Sequence, residues 1–141
     1  MKNSIIAGTI FGVLALAVAL LFYYSVAGNP YYILVPSAFV SAFAGGTVFW
    51  LLLGGERSST RAAMTGLCVG VALVPLAWFL AVFWKFTLMG PTTSTELDFG
   101  QALRGAFSLG VSSSLKLMWY TIPAGVLTGF LIRLKLFPAR Y

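Results

Sequence analysis

Few residue types in this sequence could carry out chemistry. Its 141 residues include no histidine, one cysteine and three carboxylates, and the carboxylates Glu56, Glu96 and Asp98 all lie outside the long apolar runs. Metal sites and acid–base catalysis usually draw on histidine, paired thiols or clustered carboxylates. The composition therefore predicts a protein that is not an enzyme and that needs no cofactor or metal.

One arrangement could still supply a nucleophile. Ser113 and Ser114 precede Lys116, and a lysine can activate a serine when the two side chains meet. This spacing is not specific to any enzyme class. Cys68 lies within an apolar run with no second thiol, which favours a packing role, and no phosphate-binding glycine loop or dinucleotide motif occurs.

The composition is typical of an integral membrane protein. Sixty per cent of the residues are hydrophobic and 9% are charged, whereas about a quarter of a soluble domain is charged. Spanning a bilayer takes about 20 apolar residues per helix. The sequence thus predicts a single all-α domain, residues 1–141, with four transmembrane helices at about 4–24, 31–53, 62–86 and 115–132.

The basic residues predict an orientation. The net charge is +6, but the nine basic residues lie at the edges of apolar runs and form no basic face for nucleic acid. Lysine and arginine favour cytoplasmic loops. Three basic residues, Lys85, Arg104 and Lys116, fall on one side of the four-span topology, and six fall on the other: Lys2, Arg57, Arg61, Arg133, Lys135 and Arg140. We expect a multi-pass protein of the cytoplasmic membrane with both ends cytoplasmic and the lipid bilayer as its first partner.

Two lysines lie close to the spans. A lysine within a span is by default a functional hypothesis, but Lys85 and Lys116 fall near the outer helix ends, where the ammonium can snorkel to the headgroups. A fourth span that begins earlier, near Gly105, would instead bury Lys116. Both readings stay open.

The four runs resemble one another in pairs. Residues 35–43 and 122–130 share a proline, small residues and a final phenylalanine, which predicts two tandem helical hairpins related by a parallel repeat. The small alphabet of apolar helices is the alternative explanation. Small residues four apart allow close helix packing; the glycine pairs of this kind are Gly8 and Gly12, Gly66 and Gly70, and Gly125 and Gly129. Pro75, within the third run, predicts a kink that serves either packing or ligand lining.

The connection between the third and fourth spans is the longest. Apolar residues recur in it at helical spacing, which predicts an amphipathic helix at about 95–111 on the outer surface. It is either a lid over the bundle or a docking surface for a partner. The candidate residues are Glu96, Asp98, Phe99, Leu103, Arg104 and Phe107.

These patterns leave three functions open. The first is helix–helix association with another membrane protein or with a second copy, as an accessory subunit or an inhibitor or immunity-type protein. The second is a small oligomeric channel or carrier, whose path would use the hydroxyls of Ser41, Thr47, Thr65, Thr121 and Thr128. The third is lipid binding or handling.

Overall fold

The computed structural model describes residues 1–25, 34–89 and 99–136, and these form four α-helices and one turn. The helices are α1 (Lys2–Ser25), α2 (Leu34–Leu53), α3 (Ser59–Met89) and α4 (Phe99–Leu136). Each is long and apolar enough to cross a membrane. The all-helical class and the four long apolar helices predicted from the sequence are confirmed.

The predicted break before the fourth span is wrong. We expected an amphipathic helix at 95–111 and a separate span at 115–132, but α4 runs without interruption from Phe99 to Leu136. The serines at 112–114 lie within this continuous helix, and two of their hydroxyls bond to carbonyls about one turn earlier: Ser112 to Leu109 O at 3.2 Å, and Ser114 to Gly110 O at 2.6 Å. The amphipathic segment is thus the first part of α4.

The helices pack in chain order. Helix α1 packs on α2, α2 on α3 and α3 on α4, whereas α1 and α4 touch at few places. Within the described ranges α2 and α4 make no contact. The fold is therefore two helical hairpins joined through α2 and α3, and it stays open between α1 and α4.

A tight turn connects the two hairpins. Gly54, with φ of +63°, ends α2, and the amide of Gly55 donates to Trp50 O at 3.1 Å in the Schellman pattern. Ser58 then caps α3, since its hydroxyl accepts the Arg61 amide at 3.2 Å. The Asn3 side chain donates to Glu56 Oε2 at 2.8 Å, which places the start of α1 at this same end of the molecule.

The second hairpin is longer than the first. At 1.5 Å per residue, α1 and α2 measure about 36 and 30 Å, whereas α3 and α4 measure about 46 and 57 Å. Gly129 lies against Ala62 near the turn, so only about one further turn of α4 extends beyond the start of α3. Most of the additional length therefore lies at the opposite end, around Met89 and Phe99.

Candidate functional site

Glycines set the distance between α3 and α4. A Cβ built on Gly66 would collide with Gly125 O, and one built on Gly129 would collide with Ala62 O. At Gly70 the same atom would lie 2.6 Å from Thr121 O. Backbone therefore packs directly on backbone along this interface, which is how small residues hold apolar helices together.

The first hairpin uses glycine in the same way. A Cβ on Gly8 would collide with the Thr47 hydroxyl, and one on Gly12 would lie 3.0 Å from the Phe39 ring. From the other side, a Cβ on Gly46 would lie 3.0 Å from the Gly8 Cα and 2.8 Å from the Phe11 ring. The predicted packing glycines of α1 and α3 thus all lie at helix–helix contacts.

The predicted alignment of the two hairpins does not match their packing. Aligning 35–43 with 122–130 pairs Ala38 with Gly125, and aligning the glycine pairs of α1 and α3 pairs Gly8 with Gly66. A repeat of the Gly66–Gly125 packing would then place Gly8 against Ala38. Gly8 instead packs against Gly46, eight residues further along α2, which is about 12 Å or two helical turns. Both hairpins use small residues at the interface, but the packing register of the first differs from that of the second by about two turns.

The contacts between α3 and α4 change register near Pro75. Gly66–Gly125 and Gly70–Thr121 follow one antiparallel register, in which Pro75 would face residue 116. Gly110 takes that place, since its Cβ would lie 3.2 Å from the Pro75 Cα. Between these two contacts α4 advances about 16 Å, from Thr121 to Gly110, whereas α3 advances only about 8 Å, from Gly70 to Pro75. The two helices therefore cannot both be straight in this segment. Pro75 and Pro123 within the helices are physical causes of bending.

A groove opens where the first part of α4 crosses α3. Its volume is about 590 Å³, within the range of small-molecule sites. The α3 wall consists of Ala72, Pro75, Leu76 and Phe79, and the α4 wall of Leu103, Arg104 and Phe107. We call it the α3–α4 groove. The structure thus brings the predicted kink and three residues of the predicted outer surface into one place.

In the described part of the chain α4 packs on α3 and touches α1 at only a few places, so most of the side of α4 that faces away from α3 is uncovered. In the apolar stretch of α4, counted over all its faces, 11% of the residues are buried, against 28–33% in the other three helices. Exposed large side chains on this side, which we call the free face of α4, are Leu115, Trp119, Leu127, Phe130 and Leu134. Trp119 is 82% exposed.

The other candidate residues do not gather at a site. Glu96 and Asp98 lie outside the described residues, Phe99 begins α4, and Lys85 lies in α3 with a side chain that is not described. Lys116 is exposed. Ser114 is buried and bonds to Gly110, and residues two apart on a helix do not face each other. Ser114 and Lys116 therefore do not form a catalytic pair.

Most hydroxyls proposed for a polar path bond to their own helix. Thr47 donates to Phe43 O at 2.8 Å, Thr65 to Arg61 O at 3.0 Å and Thr128 to Ala124 O at 2.7 Å. The Ser41 and Thr121 hydroxyls are buried without a hydrogen-bond partner in the described part of the chain. Ser41 is on α2 and Thr121 on α4, which do not touch there. The arrangement does not favour a channel within one chain.

Apart from Pro75, the residues of α3 that line the groove were not predicted from the sequence. Ala72, Leu76 and Phe79 flank Pro75 at helical spacing, but every face of α3 is apolar, so no periodicity marks the groove side. The proline was the only available signal. The chain matches no protein-family model, and neither a curated protein nor a solved structure is significantly similar to it.

Proposed function

We propose that this chain is a four-span protein of the cytoplasmic membrane that acts without catalysis, by helix–helix association with another membrane protein. Both ends of the sequence lie on the cytoplasmic side, as the distribution of lysine and arginine favours. The partner packs on the free face of α4. The observation that carries this proposal is that α4, the longest helix, packs on α3 and touches α1 at only a few places.

The chemistry of the free face supports a protein partner. Trp119 is among its residues and Tyr120 follows at 74% exposure; aromatic side chains of this kind dominate binding energy at interfaces because they cover a large area with few rotatable bonds. Helices in a bilayer associate through van der Waals packing rather than hydrophobic burial. A helix that is held along one side offers such packing to a further helix.

Site-specific photo-crosslinking in intact membranes tests the proposal. A photoreactive amino acid replaces Trp119 on α4 or, as the matched control, Val18 on α1, which is 61% exposed. We expect a discrete protein adduct from position 119 and only lipid adducts from position 18. Equal yields of protein adducts from both positions, or lipid adducts alone from position 119, would overturn the proposal.

A further inference from the structure

The α3–α4 groove combines apolar walls with a single cation. Six of its lining residues are apolar and the seventh is Arg104, which is exposed. The Phe107 and Phe79 rings are 72% and 46% exposed, so a bound molecule gains apolar contact on both helices. A ligand that suits this groove has an apolar chain and a negative charge at one end.

The position of the groove along α3 fits one leaflet of a bilayer. Pro75 lies 14 residues after Arg61, which is about 21 Å along the helix. Gly110 abuts Pro75, and Arg104 lies six residues, or at most about 9 Å, beyond Gly110. When Arg61 is placed at the inner boundary of the hydrocarbon core, Arg104 lies about 21–30 Å from that boundary, and the core is about 30 Å thick. Toward the upper end of this range the guanidinium reaches the outer phosphate layer by snorkelling.

The charge of Arg104 has no counterpart in the described part of the chain. The one carboxylate there, Glu56, lies in the turn at the other end of α3 and accepts the hydrogen bond of Asn3. Guanidinium groups bind phosphate through paired, charge-assisted hydrogen bonds. A phosphate group beside Arg104 would pair with its guanidinium in this way.

We infer that the α3–α4 groove binds one anionic phospholipid, with an acyl chain between Phe79 and Phe107 and the headgroup phosphate on Arg104. The inference rests on the proposed placement of the chain in a bilayer, but it does not depend on a protein partner, because the free face of α4 lies away from the groove. Basic sites between membrane helices bind such headgroups.

Native mass spectrometry of the full chain tests this site. The protein is purified in neutral detergent with equal amounts of phosphatidylglycerol and phosphatidylcholine, and the retained lipids are counted. We expect one phosphatidylglycerol per chain. Arg104→Gln should lower its retention roughly tenfold, the scale of one lost charge-assisted contact, and Arg104→Lys should lower it less. Lys116→Gln, which removes an exposed cation of α4 outside the groove lining, should leave it unchanged.

Two further measurements by native mass spectrometry identify the ligand. Ala72→Trp fills the groove and should abolish retention of phosphatidylglycerol while the helical circular-dichroism spectrum is kept. Inorganic phosphate in excess should not displace the lipid, because it lacks an acyl chain. Displacement by phosphate alone would overturn the lipid site, as would wild-type retention by Arg104→Gln or an equal loss in Lys116→Gln. Carbonate extraction of membranes measures the bilayer placement separately, so its failure is distinguishable from failure of the groove site.

Discussion

Gly66 and Gly125 face each other across the α3–α4 interface so closely that a Cβ on either residue would meet the other's carbonyl oxygen. This contact lies one turn from Gly129–Ala62 on one side and from Gly70–Thr121 on the other. The second hairpin is therefore held by a row of backbone contacts. It is this packing on one side that leaves the opposite side of α4 free.

Alanine at position 66 should weaken the second hairpin. The added methyl group has no room, and overpacking of this kind costs about 1–3 kcal/mol. The matched control is Gly105→Ala, because nothing lies within 4 Å of a Cβ there; removal of a mid-helix glycine should stabilise α4 by about 0.5–1 kcal/mol. Thermal unfolding in detergent measures both. Equal melting temperatures for Gly66→Ala and the wild type would contradict the packing.

Gly45 and Gly46, adjacent in α2, should respond differently to replacement by alanine. Gly46 faces α1, whereas a Cβ on Gly45 would make only ordinary contact at 3.9 Å with Phe49 of its own helix. We expect Gly46→Ala to lower stability by about 1–3 kcal/mol and Gly45→Ala to leave it the same or slightly higher. A larger loss in Gly45→Ala would mean that α2 presents a different face to α1.

The turn between the hairpins should require, at position 54, a residue that adopts the left-handed backbone conformation. Gly54 has φ of +63°, a conformation that costs a residue with a side chain about 1–2 kcal/mol. Gly54→Ala should therefore lower stability by about that amount. Gly54→Asn should lose less, since asparagine adopts this conformation more readily. If alanine and asparagine behave alike in thermal unfolding, the positive φ is not the cause.

Cysteine labelling should place the two ends of α3 on opposite sides of the membrane. In a Cys68→Ala background, Thr60→Cys at the exposed start of α3 should react with an impermeant maleimide only after the cytoplasmic face is opened. Ser94→Cys, between α3 and α4, should react from outside. Labelling of both positions from the same side would reject the four-span topology.

The long helices could be predicted from the sequence because an apolar run of about 20 residues has few stable alternatives. The continuity of α4 could not. Ser112 and Ser114 lie where the sequence predicted a break, since serine competes for backbone hydrogen bonds, yet here both hydroxyls bond carbonyls of a helix that continues through them.

The register between packed helices could not be predicted from the sequence either. Gly8 has small residues at both Ala38 and Gly46 on which it could pack, and which pairing forms depends on the shapes of the whole interface. The α3–α4 groove depends on the same quantity, since its α4 wall, Leu103 to Phe107, lies just beyond the register change at Gly110. Arg104 and Phe107 were found from the pattern of the outer segment, whereas Ala72 and Phe79 could be placed only by the structure.

The mass of the complex extracted with its native lipids tests the central claim most directly. We expect a stoichiometric assembly of this chain with a second membrane polypeptide, which Trp119→Ala weakens by at least about 2 kcal/mol, as expected at the centre of an interface. Val18→Ala should leave the assembly intact. Recovery of the wild-type protein only as a lone monomer, or an assembly that Trp119→Ala and Val18→Ala affect equally, would contradict association through the free face of α4.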